Sequence, residues 1–145
     1  MATINPYLNF PGNTEEAFNF YKSVFGGEFT MLQRYKETPF ADTVPEGDKE
    51  KIMHVALPIG KSAVLMATDA IESMGQKLSS AGNNYSIAIE AESEEEATRI
   101  FKGLSEGGNI TMPLDKTFWG AYFGMFNDKF GIQWMVNYTY KEQKS

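Results

Sequence analysis

The chain has 145 residues, a formal net charge of -6 and no cysteine. This length suits one domain or two small fused modules. The acidic net charge argues against nucleic acids and anionic membranes as partners, because both bind clustered Lys and Arg. The lack of cysteine excludes disulfides and thiolate chemistry.

The composition indicates a globular protein, for which we predict a cytoplasmic location. Hydrophobic residues make up 42% of the chain and charged residues 22%, which is ordinary for such proteins. The first residues show no signal-peptide pattern, and no apolar run approaches the length of a membrane span. A reducing compartment fits a chain without disulfides.

The first half of the chain predicts a strand, a helix and three further strands. The strands are expected over residues 4–10, 28–35, 52–59 and 62–68. The helix should begin after Asn13, whose side chain can cap it while Glu16 reaches back, and it should end at Gly26-Gly27. The polar residues 36–51 are interpreted as a long exposed loop, either a mobile connection or a lid.

The second half predicts the same order of elements. A strand over 85–89 precedes a helix that a capping box of Ser93 and Glu96 should start. After a double glycine come a short strand (109–112), a loop (113–117) and an aromatic hairpin (118–137), where both tryptophans lie.

The two halves form an internal repeat with a period of about eighty residues, since Tyr7 matches Ile87 and Asn13 matches Ser93. We predict a single α+β domain over residues 1–145 that contains two βαβββ modules. The predicted segments are module 1 (about 1–70), a linker (about 70–83), module 2 (about 84–138) and a tail (139–145). The helices should cover one side, and the other side should form a cup.

These residues make the chain resemble the glyoxalase/bleomycin-resistance superfamily, also called vicinal oxygen chelate, and most closely its PhnB-like subgroup. The motifs that carry the resemblance cover nearly the whole chain: Pro6-Tyr7-Leu8, Ala17-Phe18-Asn19-Phe20-Tyr21, Phe25-Gly26-Gly27, His54-Val55-Ala56-Leu57 with Ile59-Gly60, Leu65-Met66 with Asp69, Phe118-Trp119-Gly120, Asp128, Phe130-Gly131 and Trp134-Met135. The resemblance implies a glyoxalase-like cup and commonly a homodimer. It does not fix an activity, because this fold hosts many.

The resemblance also implies where a divalent metal would sit in the superfamily's metalloenzymes, whose ligands are usually His and Glu. The corresponding positions here are Asn5 (or Pro6), Met66, Ser86 and Met135. None is a histidine or a carboxylate, and a thioether is a poor ligand for a hard divalent ion. We therefore predict no metal at the usual site and no cofactor.

Methionines and aromatic residues at these positions predict a soft, apolar ligand site in the cup. The candidate ligand-binding residues are His54, Met66, Ser86, Trp119, Tyr122, Trp134 and Met135. The alternative is that they are ordinary core residues.

His54 is the only histidine and therefore the candidate catalytic residue. Asp69 and Glu90 are the candidate carboxylates to orient it, and the alternative is a structural histidine.

Three hypotheses about function follow. The first is binding of a small apolar or aromatic ligand without a metal. The second is a lyase or isomerase of the glyoxalase class that uses His54 as general base. The third is drug binding of the bleomycin type, which the net charge of -6 permits. The expected partners are a small-molecule ligand and a second copy of the chain in a homodimer, with no nucleic acid and no membrane.

Overall fold

A computed structural model describes residues 2–72, 75, 78, 82 and 84–140. The chain divides into two compact units, residues 1–80 and 81–145, and the boundary lies inside the segment predicted as a linker. Much of that linker lies outside the described residues, as do residues 141–145 of the predicted tail. No helix in the described part of the chain is long and apolar enough to cross a bilayer.

Unit 1 has the predicted order of one strand, one helix and three strands. The elements are β1 (Tyr7–Phe10), α1 (Thr14–Phe25), β2 (Met31–Arg34), β3 (Ile52–Ile59) and β4 (Ala63–Asp69). The sheet order is β1-β4-β3-β2, with β1 parallel to β4 and the other pairs antiparallel. The buried side of α1 packs on one face of this sheet, where the Phe18 ring lies edge-on to Phe10 at 6.4 Å.

The N-terminus of α1 is capped by a distant carboxylate, so the predicted Asn13 cap is wrong. The Asn13 side chain makes no capping hydrogen bond. Instead, the backbone N–H of Thr14 donates to Asp69 Oδ1 at 2.9 Å, and the N–H of Ile52 donates to Asp69 Oδ2 at 2.8 Å. Asp69 is only 1% exposed. One buried carboxylate therefore joins α1, β3 and β4.

The segment between β2 and β3 is more ordered than the predicted exposed loop. It contains three short 3₁₀ turns, Tyr35–Glu37, Ala41–Thr43 and Glu46–Asp48. Tyr35 and Val44 are buried and pack with Ile71. Apolar side chains within the polar segment supply this anchoring, and the interpretation as a lid stays a prediction.

Unit 2 repeats the architecture, which confirms the predicted α+β fold of two βαβββ modules. Its elements are β5 (Ile87–Glu90), α2 (Glu94–Ser105), β6 (Asn109–Lys116), β7 (Ala121–Asn127) and β8 (Gln133–Thr139). The sheet order β5-β8-β7-β6, with β5 parallel to β8, matches that of unit 1. The Ser93 cap is confirmed, since its hydroxyl accepts from the N–H of Glu96 at 3.0 Å, while the Glu96 carboxylate accepts from the N–H of Glu92.

Strand β6 is twice as long as the predicted strand over 109–112, because the strand continues through Pro113. Proline is tolerated at an edge strand or a bulge. β6 is an edge strand, and its register with β7 shifts between Met112 and Asp115. The predicted hairpin also begins later, since residues 118–120 form the turn before β7.

Candidate functional site

Each sheet has one face covered by its helix and an opposite face that we call the helix-free face. In β4, Leu65 and Ala67 are buried beneath α1, so Met66 and Thr68 lie on the helix-free face by strand alternation. In β8, Trp134 is buried on the α2 side, and its neighbour Met135 lies on the helix-free face.

Methionines form a row across each helix-free face. In unit 1, the residues that pair across four adjacent strands are Met31, Ala56, Met66 and Tyr7. In unit 2, they are Met112, Met125, Met135 and Ala88. Directly paired residues on neighbouring strands have Cβ atoms about 5 Å apart, so their side chains are neighbours on the same face. We call these sets the methionine rows.

The two methionine rows occupy equivalent positions in the repeat. Met66 pairs with β1 at Tyr7, and Met135 pairs with β5 at Ala88. The outermost methionines, Met31 and Met112, are 49% and 45% exposed. Met66 and Met135, which sequence analysis proposed as binding residues, thus share a position and a chemical character.

His54 lies on the helix-free face of unit 1, and its side-chain partner is Tyr7. The Tyr7 hydroxyl and His54 Nδ1 are 3.3 Å apart, and the ring centroids are 5.7 Å apart. Partial burial raises the pKa of the Tyr7 hydroxyl above its ordinary value and the neighbouring Tyr35 adds to the shift, while a side-chain hydrogen bond with Thr68 opposes it. At neutral pH the phenol therefore keeps its proton.

The two carboxylates expected to orient His54 have other partners. The Asp69 oxygens accept from the backbone of Thr14 and Ile52, as described above. The Glu90 carboxylate accepts from the Asn137 amide at 2.6 Å and from the Thr139 hydroxyl at 2.9 Å. Sequence reasoning missed Tyr7 because its approach to His54 depends on the β1–β4 pairing, which no local motif encodes.

Trp134 and Tyr122 lie on the helix side of the unit 2 sheet, away from Met135. Trp134 is 1% exposed, and its indole N–H donates to Asp128 Oδ2 at 2.8 Å. The Tyr122 hydroxyl lies 3.3 Å from that of Thr98 on α2, beside a groove of about 320 Å³ between α2 and β6. These positions favour a structural role for both residues over contact with a ligand on the helix-free face.

Trp119 and Ser86 lie just outside the strands. Trp119 is 58% exposed in the turn before β7, where its ring stacks edge-on with Phe118 at 4.9 Å and lies 6.0 Å from Phe123. Ser86 immediately precedes β5 and is half-buried. Both remain predicted ligand contacts.

The residues predicted to stand at the superfamily's usual metal positions do not fit a divalent metal. The Asn5 side-chain oxygen already accepts from the N–H of Val64 at 3.0 Å. Met66 and Met135 offer only thioethers, and Ser86 offers a neutral hydroxyl, whereas such ions prefer imidazole and carboxylate groups. Among the residues that the structure describes, no three His, Cys, Asp or Glu side chains gather in a metal-binding group.

Two βαβββ units with identical strand order define a protein of the glyoxalase fold. The profile of the Glyoxalase/Bleomycin resistance protein/Dioxygenase superfamily matches residues 3–136, and the chain belongs to this superfamily.

Relatives place the chain in the PhnB-like subgroup. It is 32% identical to Protein YjdN of Escherichia coli (strain K12). The alignment spans 142 residues and covers 92% of this chain and 93% of that protein. Among solved structures, protein PA1353 from Pseudomonas aeruginosa is 40% identical, with a TM-score of 0.83 over 96% of this chain and 98% of that one. The PhnB protein from Bacillus cereus is 28% identical, with a TM-score of 0.70, and the match covers 95% of this chain and 100% of that one.

Proposed function

We propose that this PhnB-like protein binds a small apolar or aromatic molecule on the helix-free faces of its sheets, without a metal at the superfamily's usual site. The methionine rows are the observation that supports this function. Solvent-facing strand positions normally carry polar residues, yet Met31 and Met112 are 49% and 45% exposed. A ligand that covers these side chains would explain why they are apolar.

The chemistry of the rows favours a flat, polarisable ligand. Thioether side chains are unbranched and adaptable, and sulfur makes favourable contacts with aromatic rings. In unit 2, three methionines stand side by side on β6, β7 and β8. Such a surface fits an aromatic ring system about two rings wide.

A matched pair of variants on β6 tests this function. Met112 belongs to a methionine row, whereas Ile110 is 49% exposed on the same strand and lines the groove beside α2. With 2-ethylnaphthalene as probe in equilibrium dialysis, we expect Met112→Lys to weaken binding about tenfold, which corresponds to about 1.4 kcal/mol. Ile110→Lys should change it less than twofold. An absence of binding, or an equal loss in both variants, would contradict the proposal.

The position of His54 favours a second candidate, a lyase or isomerase of the glyoxalase class. A general base must lie within reach of the substrate, and His54 is half-buried on the helix-free face where the ligand is proposed to bind. This candidate predicts turnover of a hemithioacetal, the adduct of an aldehyde and a thiol, that disappears in His54→Ala. Turnover that persists in this variant would remove His54 from the mechanism.

We further propose that the protein acts in the cytoplasm as a homodimer. The lack of cysteine fits a reducing compartment, and membership of the superfamily supports a dimer. Light scattering on the purified protein should give twice the chain mass of 16.3 kDa. A mass of one chain at micromolar concentration would contradict the dimer.

A further inference from the structure

We propose that Tyr7 is a positioning residue that fixes His54 as a hydrogen-bond donor, so that the helix-free face of unit 1 recognises an oxygen atom on its ligand. The ligand class is an aromatic molecule that carries a carbonyl or another neutral oxygen acceptor. This inference rests on the proposed binding function and adds a polar contact to the apolar one.

The geometry places the two side chains together on one face. Tyr7 lies on β1 in the methionine row beside Met66, and His54 lies on β3. Their rings are tilted by 34° with centroids 5.7 Å apart, and the phenol oxygen lies 3.3 Å from Nδ1. Because Tyr7 is 47% exposed and His54 half-buried, this pair borders on solvent.

The direction of the hydrogen bond follows from the chemistry of the two groups. A protonated phenol is a good donor and a poor acceptor, whereas the unprotonated nitrogen of a neutral imidazole is a good acceptor. Thr68 also hydrogen-bonds to the Tyr7 hydroxyl, and this bond lowers the pKa of the phenol, as a donor to the phenol oxygen does. With Thr68 bonded to its oxygen, the Tyr7 O–H donates to His54 Nδ1, and the imidazole proton lies on Nε2.

A His54 side chain in this tautomer offers an N–H at the ring nitrogen farther from the backbone. It can donate to a ligand oxygen while the adjacent Met66 contacts the apolar body of the same ligand. The same tautomer has no free lone pair at Nε2, so it does not take a proton from a substrate there. The inference therefore argues against His54 as general base.

Nitrogen NMR of the imidazole tests the tautomer without any ligand. The chain has one histidine, so every imidazole signal of the ¹⁵N-labelled protein belongs to His54. At about pH 8.5, where an imidazole is ordinarily neutral, we expect the Nε2–H form to account for nearly all molecules. Tyr7→Phe should raise the Nδ1–H population several-fold. Tyr85→Phe, at a tyrosine that is also 47% exposed, should leave it unchanged.

A predominant Nδ1–H form in the parent, or an unchanged spectrum in Tyr7→Phe, would overturn the role of Tyr7. Two probes then test the ligand class. The parent should bind 2-acetylnaphthalene about tenfold more tightly than 2-ethylnaphthalene, and both Tyr7→Phe and His54→Ala should reduce this preference to less than threefold.

Equal affinity of the parent for the two probes would overturn the recognition of oxygen. Binding of neither probe would overturn the proposed function itself, whereas the NMR result on Tyr7 would stand by itself.

Discussion

The Asp69 carboxylate and the backbone N–H of Thr14 form a hydrogen bond of 2.9 Å between the end of β4 and the first turn of α1. The other Asp69 oxygen accepts from Ile52. This buried carboxylate thereby fixes the helix to the sheet of unit 1, and both of its oxygens accept backbone hydrogen bonds. Asp69 therefore has a structural role and is not the partner of His54.

Replacement of Asp69 should destabilise the protein strongly. In Asp69→Ala, two buried N–H groups lose their acceptor, at a cost of about 1–3 kcal/mol each. We expect the free energy of unfolding in urea to fall by about 2–5 kcal/mol. Asp42→Ala, at an exposed aspartate in the segment before β3, is the control and should have little effect. A change of less than 0.5 kcal/mol in Asp69→Ala would contradict this role.

The Glu15–Arg34 ion pair predicts a pH-dependent contribution to stability. Arg34 Nη2 lies 2.7 Å from Glu15 Oε2, and hydrogen bonding from Arg34 holds the pKa of Glu15 below its ordinary value of 4.5. A depressed carboxyl pKa stabilises the fold above the ordinary pKa, and the contribution is lost as the pH falls through the folded-state pKa. Because the Glu15 side chain is half exposed, we expect the ion pair to contribute only about 0.5 kcal/mol to the free energy of unfolding.

Chemical denaturation of Glu15→Gln at several pH values measures this contribution. The variant should be less stable than the parent at pH 7, and the difference should shrink below pH 4.5. Glu16→Gln is the control, because Glu16 lies in the same first turn of α1 and meets the same helix dipole. A difference that grows on acidification would contradict the assignment.

The two tryptophans should differ widely in how much stability their substitution costs. Trp134 is buried and donates to Asp128, so Trp134→Phe removes a hydrogen bond and leaves a cavity. We expect it to lose about 2–4 kcal/mol of stability. Trp119→Phe, at a 58% exposed ring, should lose less than about 0.5 kcal/mol. Circular dichroism during urea unfolding measures both, and equal losses would refute the assignment.

The donor groups at the usual metal positions predict that divalent ions neither bind tightly to the protein nor stabilise it. Thioethers and a hydroxyl bind Ni²⁺, Zn²⁺, Fe²⁺ and Mn²⁺ weakly. Purified protein should contain well under one such ion per chain by elemental analysis, and addition of these ions should not raise its melting temperature. One ion per chain, retained through dialysis, would contradict this prediction.

The elements that could be predicted from the sequence are those with local signals. Periodic apolar residues and the Ser93 cap located the helix of unit 2, and the repeat predicted the same order of elements in both units. The strand ends were less accurate, since β6 continues through Pro113 at a register shift that only the paired strand reveals.

The candidate site was harder to predict because it depends on pairing and on which face a side chain occupies. Sequence analysis matched Met66 with Met135, and the strand registers place them at equivalent positions. It grouped Trp134 with Met135, although neighbouring residues on a strand point to opposite faces. It also missed Tyr7, whose contact with His54 joins residues 47 apart in the chain.

Methyl NMR of the methionines tests the central claim most directly. The five methionines of the rows are Met31, Met66, Met112, Met125 and Met135. Met53, which packs against the cluster of Tyr35, Val44 and Ile71, is the internal control. On saturation of ¹³C-methyl-labelled protein with 2-ethylnaphthalene, we expect ring-current shifts at neighbouring methyl groups of a row and none at Met53. Unshifted row methyl groups at saturation, or shifts as large at Met53, would contradict ligand binding on the methionine rows.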